Sequence, residues 1–203
     1  LPTGEVREIN KGLYAKANVG GGLYLARFRG FVNPGTSLGL SLGKDFLDRE
    51  TQSAAWEVSF FQGIHNGCHY EYQVRGECSG RPGEQGPLLQ GDLRTYTFVA
   101  TVDYAYYPNR RFGISFRVGG GVLLSPLLMD ETAYKDEVIN DTWAGVQPDP
   151  PYHNSPHPVI MGGPGFEYYT KLSHFSVGLD TDVFYGIDFD LGMNISGYMK
   201  YTF

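Results

Sequence analysis

Along residues 191–203, apolar and polar positions alternate without a break. Leu191, Met193, Ile195, Gly197, Met199, Tyr201 and Phe203 share one face; Gly192, Asn194, Ser196, Tyr198, Lys200 and Thr202 share the other. A period of two is that of a β-strand. Seven further segments repeat it: Leu13 to Phe28, Thr36 to Phe46, Gln52 to Ile64, Leu93 to Tyr107, Phe112 to Leu124, Met161 to Leu172 and His174 to Ile187. In the fifth, for instance, Phe112, Ile114, Phe116, Val118 and Val122 oppose Gly113, Ser115, Arg117, Gly119 and Gly121. No stretch has a helical period, and no apolar run nears the roughly 18 residues of a membrane-spanning helix. The pattern predicts an all-β chain of eight strands.

The predicted connections alternate in length. Those after strands one, three, five and seven are Arg29–Gly35, His65–Asp92, Ser125–Ile160 and Asp188–Phe189. Those after strands two, four and six are tight, around Leu47–Thr51, Pro108–Arg111 and Ser173. Both very long connections therefore fall at one end, with the chain termini at the other.

Alternation alone does not say which face points outward, since a soluble sandwich alternates too. Size and chemistry decide. An eight-stranded barrel has room inside only for side chains; the Leu/Phe/Tyr face would overfill it, and the Gly/Ser/Thr/Asn face would fit. That small face also holds isolated charges of both signs: Lys16, Glu57, Asp103, Arg117, Glu167, Lys171, Asp180, Asp182 and Lys200. Buried charges need partners, so these nine are expected to form an interior network that plugs the bore; an ion path is the alternative. On the apolar face, the only charges by parity are Arg27, Lys44 and Arg94, near strand ends, where long stems can snorkel. Two aromatic belts are expected, as where a barrel crosses two lipid interfaces. Tyr104, Phe112, Phe175, Tyr201 and Phe203 are assigned to the short-turn end. Phe28, Phe60, Tyr96, Phe98, Phe166, Tyr168 and Tyr185 are assigned to the long-connection end.

Composition narrows the partners. The 203 residues suit one domain, and a formal charge of −6 with only 16 Lys plus Arg argues against nucleic acid. A mean hydropathy of −0.27 is compatible with a membrane barrel, because its faces alternate. The chain starts at Leu1-Pro2, which reads as a mature or trimmed form. Cys68 and Cys78 lie ten apart in a Gly-rich polar stretch. They read as one disulfide in an oxidising compartment, with two free thiols as the alternative.

The terminal Tyr-x-Phe on an apolar-alternating strand resembles the C-terminal signal of bacterial outer-membrane β-barrels. Together with the pattern and the loop asymmetry, it makes the chain resemble the small eight-stranded barrels of the OmpA/OmpX/OmpW type. The resemblance implies an antiparallel up-and-down transmembrane β-barrel over residues 13–203, after a short periplasmic segment 1–12. It implies extracellular loops at 65–92 and 125–160, both termini in the periplasm, and a bacterial outer-membrane location among lipid and lipopolysaccharide. Met199, Tyr201 and Phe203 would then be read by the outer-membrane assembly machinery. The fold does not fix one activity.

Candidate chemistry is sparse, and no cofactor is expected. His174-Phe175-Ser176 is similar to a step in lipid A deacylases of the PagL type, where a His activates a Ser. Against that, His174 and Ser176 have inward parity, they follow a tight turn, and the last strand supplies no Glu. His153 and His157, with Asp130, Glu131, Asp136, Glu137, Asp141 and Asp149, could bind a metal; their spacing matches no ligand loop, and an acidic solvated loop explains them. Trp143 and Tyr152 give the same proline-stiffened loop apolar docking points. The expected function is a non-enzymatic surface anchor or docking component of an envelope assembly. A narrow conduit is the alternative, with a lipid-modifying enzyme behind it.

Overall fold

A computed structural model describes residues 11–26, 29, 32–49, 51–66, 92–109, 111–125, 156–172, 174–187 and 189–203. They form eight strands: β1 (Leu13–Tyr24), β2 (Gly35–Asp48), β3 (Gln52–Asn66), β4 (Asp92–Asn109), β5 (Phe112–Leu124), β6 (His157–Tyr169), β7 (Phe175–Gly186) and β8 (Leu191–Thr202). Each pairs antiparallel with its sequence neighbours, and β8 pairs with β1, so the sheet closes into a barrel. All strands exceed the roughly 9–11 residues needed to cross a bilayer. Closure also satisfies every sheet edge, as a span through hydrocarbon requires.

The stagger of the barrel is read from its register. Partners of Tyr14 run through Gly43, Glu57, Thr101, Gly119, Met161, Phe184 and Gly192, and return to β1 at Tyr24, ten residues along the strand. A stagger of this kind goes with strands tilted by about 35–45°.

Face assignment follows parity. Val19, Leu40, Phe116 and Ile160 on the outside are more than half exposed, whereas Lys16, Glu57, Arg117 and Asp182 are buried within. A soluble protein would show the reverse. Interior glycines seat interior rings: an added Cβ would lie 2.3 Å from the Tyr14 ring at Gly43, 2.5 Å from Tyr107 at Gly113 and 2.3 Å from Tyr198 at Gly178. The bore thus holds aromatic rings without widening.

Some boundaries differ from those expected. β1 ends at Tyr24 and not Phe28; the last bond of that edge is Leu25 N–H to Leu191 O at 2.8 Å. β6 starts at His157, four residues before Met161, so Pro158 lies inside a strand. Proline donates no ladder hydrogen bond, which is why the prolines there read as loop. The β6–β7 pairing also skips Gly163 and Pro164. β6 ends at Tyr169 because Thr170 closes the turn, its backbone N–H and its hydroxyl both donating to Phe175 O at 3.0 and 2.8 Å.

The aromatic belts need one correction. Phe166 and Tyr168 lie at the short-turn end, opposite Ile114 and Phe112, because β6 runs toward its tight turn. The described long-connection belt is Phe60, Tyr96, Phe98 and Tyr185; Phe28 lies outside the described residues.

Candidate functional site: a filled bore

Reading up β3 gives the order of layers inside: Ser53, Glu57, Phe61 and His65 all face the bore, from the short turns to the long connections. At the bottom, Glu167 takes Lys200 Nζ at 3.1 Å, Tyr107 Oη–H at 3.0 Å and Ser176 Oγ–H at 2.6 Å. Lys200 also sits 4.3 Å over the Tyr14 ring.

The middle layer is a charge network. Lys16 Nζ lies 3.1 Å from both Glu57 Oε2 and Asp180 Oδ2. Arg117 reaches across, with Nη1 2.9 Å from Asp180 Oδ2 and 3.6 Å from Glu57 Oε1. Its Nε and Nη2 form a fork on the Asp182 carboxylate. Tyr14 and Ser59 hydroxyls complete Glu57, at 3.1 and 3.0 Å. Desolvating such charges is expensive unless each is paired and hydrogen-bonded, and here both cations bridge two or more carboxylates. Asp103 faces the same space, with one oxygen lacking a hydrogen-bond partner. It borders a cavity of about 20 Å³ that Tyr107, Glu167 and Lys200 also line, enough for a single water.

The upper layer is apolar, which parity did not foresee. Tyr24, Phe61, Val99, Leu123, Val159 and Met161 point inward and pack with Val32 and Phe189, which come from the connections on either side of the β1 pairings. His65 and His157 flank this layer, their Nδ1 atoms 3.1 Å from Asn33 O and 3.2 Å from Ile187 O. The signal was present in the sequence: Phe61, Val99, Leu123, Val159 and Met161 are apolar residues on the inward parity of β3, β4, β5 and β6.

The structure brings together Lys16, Glu57, Arg117, Asp180 and Asp182, and separately Glu167 with Lys200. Lys171 is a correction. It is exposed in the β6–β7 turn, because β6 ends two residues earlier. His157 is another: it belongs to β6 and is buried facing the bore. Among the described residues no cluster of three metal-ligating side chains occurs. Cys68, Cys78, Trp143, Tyr152 and His153 lie outside the described residues, as do Arg27 and the six loop acids. Ser176 is 1% exposed and donates to Glu167 on the neighbouring β6, a carboxylate partner the sequence reading sought on β8. His174 Nδ1 lies 2.7 Å from Thr202 O. Met199, Tyr201 and Phe203 face outward, and Phe203 N–H donates to Leu13 O at 3.0 Å.

No family model matches the chain, and no curated protein matches it. Solved structures do. Neisserial surface protein A aligns over 95% of this chain and 97% of its own, at 8% identity and a TM-score of 0.53. The fold is that of the small outer-membrane β-barrels. The attachment invasion locus protein Ail of Yersinia pestis, solved with a heparin analogue, covers 95% of this chain and 100% of its own (10% identity, TM-score 0.48). The outer membrane enzyme PagL covers 94% and 99% (14% identity, TM-score 0.47). At these identities the likeness is one of fold.

Proposed function

We propose that this chain is a non-enzymatic barrel of the bacterial outer membrane that presents its long connections as a docking surface for an envelope assembly or a surface ligand. The observation that carries this reading is the filled bore. A charge network and an apolar layer occupy it in series, so neither a water path nor a ligand chamber crosses the described interior. What remains free to act is the outer rim, where residues 67–91 and 126–155 are long enough to fold over a partner. Trp143 and Tyr152 are the anchors we assign there, and a Cys68–Cys78 bridge would fix the other loop. The filled bore counts against the conduit reading. The engagement of Ser176 with Glu167 inside the barrel, away from lipid, counts against acyl chemistry on lipid A. Both termini would then lie in the periplasm, with Met199, Tyr201 and Phe203 serving assembly and lipopolysaccharide surrounding the outer rim.

Replacing 67–91 and 126–155 with short turns tests the reading. The barrel should still fold, because the eight paired strands and the bore groups described above all lie outside those two segments. Crosslinking of intact cells should lose every envelope partner captured by the full-length chain. A loop-less barrel that still captures them would refute the docking role.

A further inference from the structure

We propose that the short-turn end carries a basic collar that selects anionic phospholipid headgroups in the adjoining leaflet. This rests on the membrane-barrel reading above. Among the residues whose side chains are described, every exposed charge at that end is a cation: Lys44, Arg49, Arg111 and Lys171. Arg49 is flanked in sequence by Asp48 and Glu50, so the collar rests on the other three. They are spread around the barrel, on β2, in the β4–β5 turn and in the β6–β7 turn.

Each sits beside the aromatic belt of that end. Lys44 lies on the outward face between Leu42 and Phe46, both about 60% exposed. Arg111 immediately precedes Phe112, which pairs with Tyr168. Lys171 adjoins the exposed Leu172. Aromatic and aliphatic groups fix the depth of the headgroup region, and a cation held at that depth meets lipid phosphate.

By sequence count, the connections at the opposite end are net acidic even with Arg27 and Arg29 of the β1–β2 connection included. Residues 67–91 hold three Glu and two Arg, and 126–155 hold six acids and one Lys. An anionic surface therefore attracts one end of the barrel and repels the other. Near such a surface each Lys or Arg gains appreciably, within a Debye length.

Trp56 reports on the collar directly. It is lipid-exposed and the register partner of Lys44, and Trp143→Phe removes the other tryptophan of the chain. The W143F protein is reconstituted in phosphatidylcholine vesicles containing brominated phosphatidylglycerol or, in parallel, brominated phosphatidylcholine. The expected result is a roughly fivefold preference for phosphatidylglycerol at Trp56, the scale of one cation at an anionic surface. It should fall toward unity in high salt and in K44Q/R111Q/K171Q. Equal quenching by the two lipids, or a preference that survives the triple substitution, would overturn the collar. Heat-dependent migration in SDS, run on the same samples, separates this outcome from failure of the barrel reading itself.

Discussion

At the scale of single residues, burial and pairing separate side chains that parity alone grouped together. Arg117 holds three carboxylates in the bore, so Arg117→Leu takes from Asp182 its cation and leaves Glu57 and Asp180 to share Lys16. We expect a loss of about 3–5 kcal/mol, read from urea unfolding in lipid vesicles. Lys171→Gln, in the exposed turn, should change stability by less than about 0.5 kcal/mol. Equal effects would place both residues in the same environment, against the structure. The inward charges at Lys16, Glu57, Asp180 and Asp182 were legible because a charge at mid-strand has no place against lipid. Lys171 misled because its parity was counted past the end of β6, where Thr170 turns the chain and parity loses its meaning.

At the scale of elements, the strands follow from period-two patterning with few exceptions, and the exceptions have local causes. Pro158 hid the start of β6, since a proline within a ladder costs a hydrogen bond that most strands keep. Fixing where β6 starts, and that it runs down toward its turn, also places Phe166 and Tyr168 in the lower belt. The apolar upper layer escaped notice because Phe61, Val99 and Met161 occupy inward positions that the alternation rule reserves for small or polar groups. Strand-to-strand fit depends on glycine facing a ring, as at Gly113 under Tyr107. Gly113→Ala would set a methyl group 2.5 Å from that ring and should destabilise the barrel by about 1–3 kcal/mol. In the Tyr107→Leu background the same substitution should cost much less, because the two residues share one space. Additive losses in the double-mutant cycle would show that the glycine serves the backbone and not the ring.

At the scale of the whole molecule, three properties coincide: a closed sheet, an apolar exterior bounded by aromatics at both ends, and a bore filled with charge pairs and then apolar groups. The last two exclude a soluble arrangement: leucine, valine and phenylalanine form the exposed band, and charges are buried in its place. The fold was therefore legible almost entirely from the pattern of residues. The activity was not, because it is assigned to connections whose sequence carries no motif. The central claim is that lipid lies outside this barrel, and electrophoresis in SDS with and without boiling, after refolding into detergent, tests it most directly. A folded membrane barrel should resist unboiled SDS and shift in mobility on heating. A protein that stays soluble and monomeric without detergent, and migrates identically before and after boiling, would contradict it.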